Sequence, residues 1–224
     1  MPTRRTRPRA PWAGAALAAA VLGADTAGAL TEPRLGVDLP LAHWVQQAPW
    51  GPLSDLFAAT NWGGLSWHPF ALAAACGVAC LPAAGARALL LLPAALASLL
   101  TAVVKAWVGR PRPGPGLVHV LQPAHGFSYP SGHATFYAWL AVMLALVLRP
   151  RLGPWRPLAY ALAAAVVAVA CLGRVDVGAH WPSDVVAGAA LGAGWAALVA
   201  WAWEGAPGGA ARRAYLRWKR SPPA

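Results

Sequence analysis

The stretch CLGRVDVGAHWPSD, residues 171–184, is followed by nineteen residues without charge, VVAGAALGAGWAALVAWAW, residues 185–203. It places Arg174, His180 and Asp184 at the mouth of an apolar segment long enough to cross a membrane. Ionisable side chains there are costly unless they have partners or a function. Pro182 fits the first turn of a helix but not its interior, so the last helix is predicted to begin near residues 180–182.

His180 and Asp184 are four residues apart, which predicts that they share one face of this helix. A carboxylate in that position accepts the N–H of one imidazole nitrogen and leaves the other nitrogen its lone pair for attack. A helix N-terminus also favours a bound anion. The pattern predicts a histidine nucleophile that attacks a phosphate group. The alternative is an interfacial histidine beside an aspartate that merely suits the helix dipole.

The composition is that of an integral membrane protein. The 224 residues are 58% hydrophobic and 11% charged, with thirteen Trp and a mean hydropathy of +0.48. An ordinary soluble domain carries about a quarter charged residues. The net charge of +11 is divided among loops and termini, so it argues for contact with anionic lipid and against nucleic-acid binding.

The predicted fold is an all-α polytopic membrane helical bundle, a single membrane domain over residues 1–224. About six transmembrane helices are predicted, at about 11–30, 63–82, 87–106, 132–148, 157–173 and 184–203. Residues 205–224 are predicted to form a basic cytoplasmic tail. The segment 32–62, broken by four prolines, is predicted to be an outer loop with short helices in the headgroup region.

The distribution of basic residues predicts that both termini are cytoplasmic. With Met1 inside, the inner segments hold thirteen of the eighteen Lys and Arg. These are Arg4, Arg5, Arg7, Arg9, Arg87, Arg149, Arg151, Arg156, Arg212, Arg213, Arg217, Lys219 and Arg220. The other five are Arg34, Lys105, Arg110, Arg112 and Arg174, and all but Arg34 lie close to an outer membrane edge, against the usual bias. All six His and six of the seven acidic residues also fall on the outer side.

Several features leave alternatives open. Residues 1–29 form either a retained first span or a cleaved secretory signal, and a retained span is favoured because it orients the five that follow. His43 and Asp55 in the outer segment are candidates to approach a site from above, whereas His119 and His125 are interpreted as ordinary loop histidines. Cysteines occur at positions 76, 80 and 171, and they are interpreted as small buried hydrophobes rather than zinc ligands or a disulfide.

Three polar clusters lie at the outer ends of successive spans. They are Lys105 with Arg112, then Ser131, Gly132 and His133, then Arg174, His180 and Asp184. Separately they have ordinary explanations, since flanking cations snorkel to lipid phosphates and Ser and Gly cap helices. Together they predict a site for a tetrahedral anion, in which the N–H groups at Ser131 and Gly132 cradle the anion and His133 holds a proton. That anion is a phosphate monoester or a pyrophosphate end group.

The three clusters, KAWVGRPRP, PSGH and RVDVGAHWPSD, resemble the motifs KxxxxxxRP, PSGH and SRxxxxxHxxxD of the type 2 phosphatidic acid phosphatase (PAP2) family. The resemblance implies a PAP2/haloperoxidase-like core, with His180 forming a phosphohistidine, Asp184 orienting it and His133 protonating the leaving group. It implies that the phosphoryl oxygens are held by Lys105, Arg112, Ser131, Gly132 and Arg174. One position departs from the motif, because Gly173 stands where the family has serine. This predicts a missing hydroxyl contact worth roughly 1.5–3 kcal/mol.

These observations predict an integral membrane lipid phosphatase that hydrolyses a phosphate monoester or pyrophosphate of an amphiphilic lipid at the outer leaflet. Fixed cations are predicted to make a metal or other cofactor unnecessary. Undecaprenyl pyrophosphate, phosphatidic acid and phosphatidylglycerol phosphate are all compatible substrates, and the sequence does not distinguish among them. It does not indicate an oligomeric state either. The alternatives are a lipid phosphotransferase with the same intermediate and a non-catalytic lipid or anion transporter. Vanadium-dependent haloperoxidases are similar at the motifs, but a six-span chain is not expected to be a peroxidase.

Overall fold

A computed structural model describes residues 12–205, and within that range the regular structure is helical throughout. The α-helices are α1 (Trp12–Thr31), α2 (Asp38–Gln47), α3 (Leu53–Gly63), α4 (His68–Ala84), α5 (Ala94–Val108), α6 (Gly132–Leu152), α7 (Arg156–Asp176) and α8 (Pro182–Gly205). Short 3₁₀ segments, Gly85–Leu91 and Gly153–Trp155, join α4 to α5 and α6 to α7. The all-α membrane fold predicted from the sequence is confirmed. The four N-terminal arginines and the basic tail from residue 206 lie outside the described residues.

Within residues 12–205, four helical stretches are long and apolar enough to cross a membrane, namely Gly14–Thr31, His68–Val108, Gly132–Asp176 and Pro182–Trp203. Two of them, of 41 and 45 residues, each contain two helices joined by a 3₁₀ turn. At 1.5 Å per residue each would extend about 60 Å if straight, twice the hydrocarbon thickness. Since α6 packs against α7, that pair is a hairpin rather than one long rod. The count of six crossings stays a prediction.

Two helix starts differ from the predicted boundaries. Helix α4 begins at His68 rather than near residue 63, and α5 begins at Ala94 rather than near residue 87. Proline lies at the start of both, because Pro69 occupies the first turn of α4 and Pro93 is the N-cap of α5. Proline lacks an N–H and has a fixed φ, so it suits a helix start better than an interior. The apolar run alone did not reveal these boundaries.

Helices α6 and α8 form the largest interface of the bundle, with α1 along the other side of α8. Gly188 and Gly192 make the close approach of α8 to α6 possible. A Cβ at Gly188 would lie 2.5 Å from the Ser131 carbonyl oxygen, and one at Gly192 would collide with the Thr135 carbonyl oxygen. Small residues therefore pack the N-terminal half of α8 tightly against α6.

The segment 32–62 forms α2 and α3, as predicted for short helices between the first two spans. Helix α3 packs against α7, and Phe57 is buried there. Trp44 and Trp62 remain 61% and 64% exposed, which suits side chains at a membrane interface. This arrangement carries the C-terminal end of α3 to the N-terminal end of α6, where the predicted site residues lie.

Candidate active site

His180 lies in the turn between α7 and α8 and is 3% exposed. Gly178, with φ of +70°, allows the chain to reverse after α7, and the N–H of His180 then donates to the Arg174 carbonyl at 3.3 Å. The prediction that the last helix begins near residues 180–182 is confirmed, since α8 starts at Pro182. His180 therefore precedes the helix, and only Asp184 lies within its first turn.

The two ring nitrogens of His180 face different groups. Nε2 lies 3.2 Å from Arg112 Nη1, and Nδ1 lies 3.5 Å from Asp184 Oδ2. A guanidinium only donates, so Nε2 is the unprotonated acceptor and Nδ1 carries the proton toward Asp184. Burial lowers the pKa of His180 to about 3, helped by the nearby charges of Lys105 and Arg112 and opposed by Asp184. The imidazole is therefore neutral at ordinary pH, with its lone pair on Nε2.

Asp184 is fully buried and has a partner for each oxygen. Oδ2 accepts from Ser128 Oγ and from the Trp181 N–H at 2.9 Å, while Oδ1 accepts from Arg110 Nη1 at 2.7 Å. The bond to Trp181 caps the start of α8 in the manner of a carboxylate three residues into a helix. One carboxylate therefore caps the helix and also lies 3.5 Å from the imidazole.

Sequence reasoning missed the residue that holds Asp184. Arg110 is 1% exposed, and its guanidinium bridges Asp184 Oδ1 and Asp38 Oδ2, each at 2.7 Å. Asp38, in the first turn of α2, also accepts from the N–H and the hydroxyl of Ser183 at 2.9 Å. The unusual placement of Arg110 at an outer edge was the available signal. Its acidic partner was not identifiable, because Asp38 lies 72 residues away in the chain.

The three predicted phosphate-binding cations are held by neutral acceptors. Lys105 Nζ donates to the carbonyls of Phe127 and Ser128 at 3.0 Å. Arg112 Nη1 donates to the Ala179 carbonyl at 2.6 Å, beside its contact with His180. Arg174 Nη1 donates to the side-chain oxygens of two amides at 3.0 Å, and its Nε is buried without a partner. Among the described residues no carboxylate pairs with these cations, so their positive charge is available to bind an anion.

Asn61, near the end of α3, was also missed, and it joins two of the motifs. Its side-chain oxygen accepts from Arg174 Nη1 at 3.0 Å, and its backbone carbonyl lies 3.0 Å from His133 Nε2. Because a carbonyl only accepts, His133 donates through Nε2, and Nδ1 is the nitrogen that Asn61 does not engage. Gly64 lies so close to the His133 ring that a Cβ there would overlap it. Helix α3 thereby fixes a predicted acid and a predicted phosphate ligand together.

The hydrogen bonds at the N-terminus of α6 differ in part from those of the predicted anion cradle. Ser131 is the N-cap, and its hydroxyl accepts from the Ala134 N–H at 3.5 Å. The Ser131 N–H donates to the Asp184 carbonyl at 2.9 Å, so it is already paired and is not a free donor. The backbone at Gly132, the first residue of α6, is half-buried and is the part of that cradle that remains for an anion. The same bond ties the α6 start to Asp184.

The other candidate residues lie away from this cluster. His43 Nε2 contacts the Leu117 carbonyl at 2.7 Å in the outer loop, and Asp55 is exposed at the start of α3. Neither contacts a predicted site residue, so the idea that they approach the site from above is not supported. His125 contributes only its carbonyl, which accepts from Arg112 at 3.2–3.3 Å. Within residues 12–205, no group of three His, Cys, Asp or Glu side chains has the arrangement of a metal site.

Gly173 stands where the motif has serine, and helix α3 fills the space beside it. A Cβ at Gly173 would lie 3.1 Å from Phe57 Cβ and 3.2 Å from Phe57 Cα. The Gly173 carbonyl also accepts from the Asn61 side-chain amide at 3.4 Å. The space that a serine side chain would need is therefore occupied by the helix that delivers Asn61.

Gly173→Ser is expected to destabilise the protein and not to increase activity. Overpacking against the Phe57 backbone costs typically 1–3 kcal/mol, which exceeds the helix-propensity gain of a few tenths of a kcal/mol. The thermal midpoint and kcat of detergent-purified protein measure this, with Gly36→Ser as a control at an uncrowded glycine. A Gly173→Ser protein with higher kcat and unchanged stability would contradict it.

The fold and the site together define a polytopic helical membrane protein in which Arg112 and Asp184 lie within 3.5 Å of His180, while Asn61 contacts both Arg174 and His133. The sequence model of the PAP2 superfamily matches residues 86–206, and the chain belongs to that superfamily. The matched range contains all eight predicted site residues. The resemblance stated from the three motifs is confirmed.

Individual relatives agree with this assignment. Phosphatidylglycerophosphatase B of Bacillus subtilis (strain 168) is 34% identical over 98 residues, which cover 42% of this chain and 46% of the relative. The match thus spans about half the length of that curated relative. Two crystal structures share the fold at 24% identity. The transmembrane PAP2-type phosphatidylglycerolphosphate phosphatase from Bacillus subtilis gives a TM-score of 0.67, over 85% of this chain and 94% of that one. Aquifex aeolicus LpxE gives 0.58, over 73% and 96%.

Proposed function

We propose that this protein is a membrane lipid phosphatase that removes a phosphate group from an amphiphilic lipid through a phosphohistidine on His180. The observation that carries the proposal is the geometry of that side chain. Its Nδ1 faces the buried Asp184 carboxylate, and its unprotonated Nε2 faces Arg112. A neutral nucleophile beside cations without carboxylate partners suits attack on an anionic phosphorus centre.

In the first step, the Nε2 lone pair forms a bond to phosphorus while the bond from phosphorus to the leaving oxygen breaks. His133 in its doubly protonated form keeps its Nε2–H on the Asn61 carbonyl and gives its Nδ1 proton to that oxygen. The leaving group therefore departs as an alcohol or as a phosphate, and His133 is left neutral. The positive charge that develops on His180 is stabilised by Asp184, which Arg110 and Ser128 hold in place. Phosphate entering the pocket replaces His180 as the partner of Arg112 Nη1.

In the second step, water attacks the phosphohistidine. His133 takes a proton from that water, the N–P bond breaks with its electrons returning to Nε2, and inorganic phosphate leaves. Lys105, Arg112 and Arg174 stabilise the charge on the equatorial oxygens in both steps, together with the backbone at Gly132 and the Ser131 N-cap. The cations supply the positive charge for which other phosphoryl-transfer enzymes use a metal.

The substrate class is a phosphate monoester or a terminal pyrophosphate on a lipid. The name of the Bacillus subtilis relative specifies phosphatidylglycerophosphate, and this supports a glycerophospholipid monoester as the first substrate to test. The distribution of Lys and Arg supports an active site on the outer side with both termini cytoplasmic. Transfer to a lipid or sugar acceptor is the second candidate, because the same phosphohistidine would serve it.

Phosphate release from detergent-purified protein tests the proposal. Wild-type protein is expected to release inorganic phosphate from phosphatidylglycerophosphate, phosphatidic acid or undecaprenyl pyrophosphate, and kcat is expected to change less than about twofold in EDTA, because fixed cations supply the charge. Phosphate appearing on an added acceptor instead would favour the phosphotransferase. Activity abolished by EDTA and restored by a divalent metal would contradict metal independence. Binding without turnover on every lipid would favour a transporter.

A further inference from the structure

An apolar groove lies along α6 and α7 and is also lined by Leu72 of α4. It has a volume of about 370 Å³ and extends from Tyr137 to Leu152 on α6 and from Ala159 to Val166 on α7. Its one polar lining group, the Tyr137 hydroxyl, already donates to the Thr60 carbonyl at 3.0 Å. Fifteen residues of helix extend about 22 Å, more than the roughly 15 Å depth of one leaflet's hydrocarbon. The groove therefore has the length and the polarity of an acyl-chain site.

Two arginines lie at the end of this groove, on the helix faces that line it. Arg151 follows the lining residues Leu144 and Leu148 by seven and three positions, so it shares their face. Arg156 precedes the lining residues Ala159 and Ala163 by three and seven positions and lies on theirs. Within residues 12–205 neither has a carboxylate partner, and both are exposed.

Arg149 provides a natural comparison. It is exposed and lies beside the edge of the lining face, four positions after Ala145. At 100° per residue it is about 100° around α6 from the centre of that face, whereas Arg151 is about 60° from it. Trp155, 67% exposed in the connection between the two helices, marks this end as a membrane interface. The charge at the mouth of the groove is thus concentrated in two of the three neighbouring arginines.

We propose that the groove binds an anionic glycerophospholipid, with one acyl chain between α6 and α7 and the phosphate of the headgroup between Arg151 and Arg156. Basic side chains between transmembrane helices at an interface are suited to anionic headgroups, and the groove supplies the apolar contact that a free phosphate would not use. The occupant is a lipid rather than a helix, because the lining is apolar along its length and the two arginines lie at one end, as the charge of a phospholipid lies at one end of its acyl chain. The inference does not depend on the proposed catalytic activity.

The test is native mass spectrometry of the full chain released from detergent with equimolar phosphatidylglycerol and phosphatidylcholine of identical acyl chains. Each arginine near an anionic surface is worth about a fivefold preference, so the wild type is expected to prefer phosphatidylglycerol by about thirtyfold. The Arg151→Gln/Arg156→Gln double variant is expected to bring that ratio close to one. Arg149→Gln is expected to change it less than about twofold.

Two further measurements distinguish lipid binding in this groove from binding elsewhere on the protein. Ala163→Phe, which fills the groove, is expected to lower retention of both lipids several-fold. Millimolar inorganic phosphate is expected to leave the preference unchanged, since it competes only for the His180 pocket. The proposal is overturned if the double variant keeps the wild-type preference, if Arg149→Gln lowers it equally, or if inorganic phosphate displaces the bound lipid.

Discussion

Arg110→Gln is expected to lower the thermal midpoint markedly and to reduce kcat by about 10²-fold in the protein that remains folded. Arg110 is the buried partner of both Asp38 and Asp184, and removing one member of such a group costs about 3–5 kcal/mol because a buried charge is left uncompensated. Asp184 would then shift relative to His180, and a misplacement of about 1 Å at a reacting group costs on the order of 10²-fold. Thermal unfolding and steady-state kinetics on one detergent preparation measure both effects.

The kinetic pattern distinguishes positioning from loss of folding. Arg110 contacts no predicted phosphate ligand through its side chain, so KM is expected to change little while kcat falls. Asp38→Asn, which keeps the Arg110–Asp184 pair, is expected to show the same pattern more weakly. Arg34→Gln, an exposed arginine of the same outer region, serves as the control. Unchanged kcat in folded Arg110→Gln protein would show that Asp184 does not need this support.

His180→Ala is expected to reduce kcat by on the order of 10⁴-fold or more with little change in stability. The side chain supplies the attacking nitrogen, and removal of a nucleophile eliminates the covalent route rather than weakening it. Its Nδ1 lies 3.5 Å from Asp184, too far for a strong hydrogen bond, so truncating the imidazole removes little hydrogen-bond energy from the fold. His119→Ala, at an exposed histidine of the outer loop, controls for the substitution itself. Phosphate release and thermal unfolding measured in parallel decide the outcome.

The sequence could predict the part of the site whose residues lie close to one another along the chain. Arg174, His180 and Asp184 span eleven positions across one turn, and their arrangement follows from a helix end, a proline and a helix start. Lys105 lies in the last turn of α5, and Gly109, with φ of +65°, ends that helix just before Arg112. The three motifs also occur in order at ends of successive long helices, which predicts that they meet.

The remaining part depends on where the outer segment folds. Asp38 and Asn61 lie on α2 and α3, whose amino-acid pattern predicted short helices but not their partners. Asn61 reaches Arg174 across 113 positions, a pairing that no local pattern encodes. Gly173 shows the same limit, because the missing serine indicated a lost contact, whereas the structure shows Phe57 in that space. Polar contacts between distant elements determine the positions of residues that the motifs identify.

The central claim is that the phosphoryl group is transferred to His180. The most direct measurement is rapid quenching of the enzyme with a lipid phosphate labelled in its terminal phosphate, followed by peptide mapping under alkaline conditions that preserve phosphohistidine. Wild-type protein is expected to carry the label on His180, and His180→Ala is expected to carry none. Turnover with no labelled histidine, or label that persists in His180→Ala, would contradict the account.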